Sequence, residues 1–324
     1  MAKRKLILDV DTGTDDAVAI MCAALHPALE LVACTTVNGN VEVQHCTNNT
    51  LRVLEFVGRG DVPVYEGLDR PLARPDFPVP RAQKFDNGVH GRELPIPNTS
   101  LRKQDANAVD FLVDTYKNAT DEIVLMPVGP LSNIAAALAV YPKLVDCVPE
   151  VIIMGGAHHK GNITPSAEFN IWADPEAAAK VFAAGFRKVT MLPLDATHKA
   201  LVSSERSRKL AALGTNAGLA ASRFIDQRIR AYDANQPMEE RNAAPVHDAL
   251  CVSYMLDPSV VTTLFRHVDV ECYGTLTVGR TVVDTHYRNL KDPNCNVAFG
   301  ADKEKFCDFL EKTLAMGPRS FERC

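Results

Sequence analysis

The sequence has no apolar stretch approaching the roughly 18 residues that a membrane span requires. Its Met-Ala-Lys-Arg-Lys start runs straight into a short strand-like segment, without the long apolar core of a secretory leader. Neither a bilayer segment nor a signal peptide is expected. Basic residues are not in excess: 35 Lys and Arg against 40 Asp and Glu leave a formal charge of −5, which argues against a nucleic-acid partner. No C-x-x-C pair occurs. The nine cysteines are odd in number and scattered, several inside apolar runs such as Val32-Ala33-Cys34, the pattern of buried free thiols in a reducing compartment. A cytoplasmic location is therefore expected. Internal repeats, low-complexity segments and linker-like shifts are also missing, so one domain over residues 1–324 is the economical reading. A chain of this length can bury a large core without staples.

What is present is alternation. Leu6–Asp9, Glu30–Val37, Val62–Tyr65, Glu122–Val128, Glu150–Gly155 and Lys188–Leu192 read as strands. Asp15–Leu25, Val43–Val57, Asn107–Tyr116, Leu131–Val140 and Asp174–Ala184 carry helical spacing between them. Strands separated by helices predict right-handed βαβ units: an α/β fold with a mostly parallel central sheet flanked by helices. Residues 69–100, rich in Pro, Gly, Asn and Asp, read as a long loop of the kind that is functional or mobile. The pattern from 200 to 256 reads as helical, Val268–Val283 as a hairpin around Gly274 and Gly279, and Lys303–Met316 as an amphipathic helix.

The densest chemistry lies at the first strand–helix junction, Asp9-Val10-Asp11-Thr12-Gly13-Thr14-Asp15-Asp16. In open α/β sheets ligands sit beyond the carboxyl ends of the strands. A helix N-terminus favours an acidic side chain by only about 0.3–1 kcal/mol, which accounts for one or two carboxylates there but not for this many. No Lys or Arg lies within the run, so a bound cation is the natural compensation, and all-oxygen ligation suits Ca²⁺ or Mg²⁺. An EF-hand loop beginning at Asp9 fails, because Thr14 and Ile20 stand where Gly and Glu are required. A phosphatase of the haloacid-dehalogenase type also opens with Asp-x-Asp after a strand, although Gly13 departs from its pattern.

Asp-x-Asp-x-Gly-x-Asp-Asp-Ala resembles the N-terminal signature of the inosine–uridine-preferring nucleoside hydrolases. Four further stretches resemble that family in order: Thr35-Thr-Val-Asn-Gly-Asn40; Met126-Pro-Val-Gly-Pro-Leu-Ser-Asn133; Met154-Gly-Gly through Gly161-Asn162, Ala167-Glu-Phe-Asn170 and Asp174-Pro-Glu; and Val246-His-Asp248. The resemblance implies the nucleoside hydrolase fold and hydrolysis of the N-glycosidic bond of ribonucleosides to ribose and free base. It implies Ca²⁺ held by Asp11, Asp16, Asp248 and the backbone carbonyl of Val128, with Asp11 also the base for the attacking water. Asp15 and Asn40 are then expected at the lower ribose hydroxyls, Asn162, Glu168 and Asn170 at the 5′- and 3′-hydroxyls, and Met154 against the sugar. Thr12 replaces the family's usual Pro, a change in turn rigidity and not in charge.

His247 stands where the family places the acid for the leaving base, and His90, in the long loop, matches another of its active-site histidines. Tyr232 is a candidate to cap the base. Trp172 is expected to pack near the site, and His158 and His159 to face solvent. The resemblance also implies a homodimer or homotetramer acting on a small-molecule nucleoside. The alternatives are the haloacid-dehalogenase-type phosphatase and a non-catalytic nucleoside binder on the same fold.

Overall fold

The protein is described by a computed structural model covering residues 3–76, 89–288 and 291–319. Much of the predicted loop 69–100 thus lies outside the described residues. In chain order the strands are β1 (Arg4–Val10), β2 (Leu29–Thr36), β3 (Val64–Glu66), β4 (Ile123–Pro127), β5 (Val151–Met154), β6 (Val189–Leu192), β7 (Leu201–Ser203), β8 (Ala243–Pro245), β9 (Val261–Arg266), β10 (Val268–Val270), β11 (Thr281–Val283) and β12 (Cys295–Ala301). Eight of them form one sheet in the order β3-β2-β1-β4-β5-β6-β12-β9. All neighbours are parallel except β12 and β9, which run antiparallel. The α/β architecture with a mostly parallel sheet is as predicted.

The central strands β4, β5 and β6 are buried at every position because both faces are covered. Side chains alternate across a strand, so Leu6, Leu8 and Val10 pack in one core cluster and Ile7 in another. The same division sends Val124 and Met126 to the first side and Ile123 and Leu125 to the second. Helices Thr14–Leu25, Asn216–Asn235 and His247–Leu256 cover the first face; Ala108–Asn118, Ser132–Val140 and Pro175–Phe182 cover the second.

The expected hairpin over Val268–Val283 is present as the antiparallel pair β10–β11. The 200–256 segment is not purely helical: β7 and β8 pair antiparallel and bracket helices Ser204–Ala211 and Asn216–Asn235. A three-residue strand is too short to imprint a period on the sequence. Among the described residues no helix is long and apolar enough to cross a membrane.

Chain order and sheet order part company at β1. Its successor β2 lies on one side and β4 on the other, so the crossovers leave in opposite directions. Beyond the carboxyl ends of β1 and β4 this reversal opens a crevice, and the loops that follow those two strands carry Asp11 and Val128.

Candidate active site

The first strand–helix turn is built by its own carboxylates. Gly13 caps helix Thr14–Leu25, and Asp16 at its third position turns back to accept from the N–H groups of Gly13 at 2.9 Å and Asp11 at 3.2 Å. Asp11 then projects into the crevice. Its Oδ2 accepts from the backbone N–H of Asn40 at 2.7 Å. The Asn40 amide donates to the Asp11 carbonyl and to Asp16 Oδ2, both at 3.2 Å. The loop after β2 thereby clamps the loop after β1.

Two glycines are dictated by this approach. A Cβ on Gly39 would stand 2.0 Å from Asp11 Oδ2, and one on Gly129 would stand 2.9 Å from Oδ1. Gly39→Ala is therefore expected to displace the Asp11 carboxylate and lower kcat by about 10²-fold, the usual cost of a misplacement near 1 Å. Steady-state kinetics checks this, with a thermal scan to confirm that the variant folds.

Asp248 enters from the far side, in the first turn of helix His247–Leu256. Oxygen atoms of Asp15, Asp16 and Asp248, all buried, lie within 4.8 Å of one another. The tight triplet thus contains Asp15, with Asp11 bonded beside it to Asp16. Burial, reinforced by the neighbouring carboxylates, raises Asp11 and Asp248 well above the ordinary carboxylate range, and Asp16 to about 7.

One compensating cation escaped the sequence reading. Arg228, on helix Asn216–Asn235, is fully buried and places Nη1 at 2.8 Å from Asp15 Oδ1. Its Nη1 also donates to Thr14 Oγ1 at 3.1 Å, and its Nε to the Pro245 carbonyl at 2.8 Å. A faint signal existed: Arg228 stands four residues before Tyr232, on the same helix face, and its guanidinium lies 5.5 Å from the Tyr232 ring.

A single pocket collects most of the predicted residues. Asp11, Asp15, Asn40, His90, Val128, Met154, Asn162, Glu168, Asn170, Tyr232, His247 and Asp248 all line it, with Arg228 among them. Asp16 lies beneath the lining, bonded as described. Glu168 caps helix Phe169–Ala173 and accepts from the N–H groups of Gly156 at 2.8 Å and Asn170 at 2.9 Å; burial raises it to about 7. The Asn170 amide donates to the carbonyls of Val128 at 2.7 Å and Met154 at 3.1 Å. A carbonyl has two lone pairs, so Val128 keeps one for another partner. Asn162 accepts from Phe169 N at 2.9 Å.

The histidines lie close to the carboxylates: His247 directly precedes Asp248, and His90 Nδ1 is 3.9 Å from Asp15 Oδ1. His247 Nε2 is 2.9 Å from the Tyr232 hydroxyl, and its Nδ1 is 2.7 Å from Thr197 Oγ1. Burial, with the Arg228 charge behind it, lowers His247 well below the usual histidine range, so the ring is neutral. Burial pushes Tyr232 up to about 12, against the pull of Arg228. His90 accepts from Thr14 N at 3.3 Å and is lowered by burial to about 4.

Several residues fall outside the pocket. Asp9 points to the second core face with Ile7, accepts from Asn133 at 2.8 Å and from Thr35, and does not line the pocket. The phosphatase alternative needed Asp9 to reach substrate. The backbone of Trp172 packs under Gly279. His159 is exposed, as expected, but His158 is half-buried with its ring centroid 5.6 Å from that of Phe299, which corrects its expected solvent position.

Comparison with known proteins shows the family and the fold. The sequence profile of the family described as "Inosine-uridine preferring nucleoside hydrolase" matches residues 6–308. The inosine-uridine preferring nucleoside hydrolase of Crithidia fasciculata is 39% identical over 311 residues, 94% of this chain and 95% of that one. The pyrimidine-specific ribonucleoside hydrolase of Shewanella sp. (strain ANA-3) is 36% identical over 313 residues, 97% of this chain and 96% of that one. Among solved structures, the purine-preferring ribonucleoside hydrolase from Gardnerella vaginalis superposes with a TM-score of 0.87 at 34% identity, covering 96% of this chain and 98% of that one.

Proposed function

The chain belongs to the inosine-uridine preferring nucleoside hydrolase family and is itself a nucleoside hydrolase; from that premise we propose that it hydrolyses inosine- and uridine-type ribonucleosides in a calcium-dependent reaction. The observation that carries this reading is the buried carboxylate cluster of Asp11, Asp15, Asp16 and Asp248 gathered in one site with the Tyr232–His247 pair, all but Asp16 lining a single pocket.

The donor set fits a hard divalent cation. It is all oxygen, and the guanidinium of Arg228 leaves negative charge uncompensated. Asp11, Asp16, Asp248 and the Val128 carbonyl would hold calcium. When bound, the ion would acidify a water and accept the vicinal ribose hydroxyls.

The chain's own residues do the rest. Asp11, held by Asn40 N–H, takes the proton of the attacking water. Asp15, tethered to Arg228, and Asn40 face the lower ribose hydroxyls. Asn162, Glu168 and Asn170 line the wall proposed for the 5′ side, with Met154 against the sugar. Cleavage builds positive charge on the ribose ring, and the carboxylates around it favour that charge. On the other side of the bond His247 acts on the departing base, and its bonded neighbour Tyr232 joins it there. His90 closes the pocket beside Asp15. A panel of purine and pyrimidine nucleosides, with and without chelator, tests the reading through release of reducing sugar. No sugar from any of them with calcium present would sink it.

Metal removal carries a pH signature. Burial places Asp9, Asp16 and Glu168 at about 7 and Asp11 and Asp248 higher than ordinary carboxyls. A carboxyl raised in the fold stabilises below its unfolded value, near pH 4, and loses that contribution as pH rises through the folded value. His90, His198 and His247 are lowered and act in the opposite sense, but their contribution is complete above about pH 6.5. Between about pH 7 and pH 8 the carboxyls therefore decide the slope. The Tm of the chelated protein is expected to fall over that interval. Calcium displaces these protons, so the stabilisation it adds is expected to grow. Thermal scans at both pH values check this; a chelated Tm that rises with pH contradicts it.

A further inference from the structure

Behind His247 lies Thr197, the last residue of the short helix Leu194–Thr197 that follows β6. It is buried and does not line the pocket. Its Oγ1 is 2.7 Å from His247 Nδ1, and the Tyr232 hydroxyl is 2.9 Å from Nε2. Thr197, His247 and Tyr232 form a hydrogen-bonded chain that starts in the core and ends at the pocket wall.

Counting protons gives this chain a direction. A neutral imidazole carries one N–H, and each hydroxyl carries one O–H. Three protons serve two hydrogen bonds, so one O–H is left over at one end. If Thr197 accepts from Nδ1–H, the spare proton is its own. His247 is the sole hydrogen-bond partner of the Thr197 hydroxyl among the described residues, so none of them accepts that buried proton. If Thr197 donates to Nδ1, then Nε2–H donates to Tyr232, and the spare proton is that of Tyr232, at the pocket wall. There a substrate nitrogen or water accepts it. An unmet buried donor shifts such an equilibrium by about 5- to 150-fold, so the second arrangement prevails.

We propose that Thr197 is a positioning residue of the hydrolysis: its hydroxyl donates to Nδ1, fixes His247 as the Nε2–H tautomer, and so makes Tyr232 offer a proton, not a lone pair, to the leaving base. This rests on the reading that the Tyr232–His247 pair serves the base. As the bond between C1′ and the base nitrogen breaks, its electron pair stays on that nitrogen and the Tyr232 proton joins it. The attacking water gives its hydroxyl to C1′ and its other proton to Asp11. The tyrosinate left behind is bonded by His247 Nε2–H and faced by the Arg228 guanidinium, 5.5 Å from its ring. Solvent then takes the proton from Asp11 and returns one to Tyr232.

The test compares Thr197→Val and Thr197→Ser on inosine, uridine and p-nitrophenyl β-D-riboside, whose leaving group needs no proton. Thr197→Val is expected to lower kcat on the two nucleosides by about 10- to 100-fold with little change in KM, the size of one lost buried hydrogen bond. On the nitrophenyl riboside it should stay within about threefold, a change too small to represent a lost hydrogen bond. Thr197→Ser, which keeps the hydroxyl, should recover the nucleoside rate. Equal losses on all substrates, or full nucleoside activity in Thr197→Val, overturn the proposal. Tyr232→Phe and His247→Ala separate it from the reading beneath. If neither variant discriminates between leaving groups, that reading falls and takes this one with it. If both discriminate and Thr197→Val does not, only the role of Thr197 falls.

Discussion

Asp11→Asn is expected to lower kcat on inosine or uridine by about 10²–10⁴-fold, the range a positioned general base supplies. The change keeps the shape of the side chain and removes its basicity. Shape matters here, since Oδ2 is fixed by Asn40 N–H at 2.7 Å and both oxygens sit where Gly39 and Gly129 leave no room for a Cβ. Asparagine also weakens a proposed calcium ligand, so the measurement belongs at saturating calcium, where kcat reports the base alone. Asp9→Asn is the control. Asp9 is as buried as Asp11 but faces the second core layer and touches Thr35 and Asn133. Its loss is expected to appear in Tm, not in kcat. Retention of full kcat by Asp11→Asn removes Asp11 as the base. If Asp9→Asn proves the more damaging to catalysis, chemistry centred on Asp9, as in the phosphatase alternative, returns.

The legible parts of this molecule were those whose cause is local. Helix Thr14–Leu25 declares itself because Ala17, Val18, Ile20, Met21 and Ala24 repeat at helical spacing just after the acidic pair Asp15-Asp16 of its first turn. β1, β4, β5 and β6 declare themselves because strands covered on both faces carry short, largely apolar runs such as Leu6-Ile7-Leu8. β9 and β12 were not read. β9 is an edge strand with exposed Thr262, Leu264 and Phe265, and β12 carries Asn296 and Gly300. Their strand character comes from pairing with each other and with β6, which no local pattern encodes.

The site divides the same way. The acidic run, Asn40 and His247-Asp248 are compact motifs. Arg228 and Thr197 are single ordinary residues whose meaning is a partner far along the chain: Asp15 for one, His247 for the other. Arg228 shares its helix with Arg223 and Arg230, and only its spacing from Tyr232 sets it apart in the sequence. Its position also alters how the acidic run is understood. The run's compensation is divided between a protein cation, supplied across the fold, and the proposed calcium.

That division has a measurable consequence. Arg228→Met is expected to destabilise the chelated protein by about 3–5 kcal/mol, because removing one partner of a buried ion pair strands the other. Here the stranded charge is Asp15, whose oxygen already shares a 4.8 Å cluster with Asp16 and Asp248. The Pro245 carbonyl and the Thr14 hydroxyl lose their donor at the same time. Adding Asp15→Asn to Arg228→Met should recover part of the loss, since the uncompensated charge goes with it. Calcium should recover part of it by a different route. A ligand at a hundred times its dissociation constant stabilises the native state by about 2.7 kcal/mol. Its affinity should tighten when the competing guanidinium is gone. Denaturant unfolding of the single and double variants, each with chelator and with calcium, separates the two routes. If Arg228→Met costs under about 1 kcal/mol in chelator, the pair behaves like an exposed one. The carboxylate cluster then does not depend on Arg228.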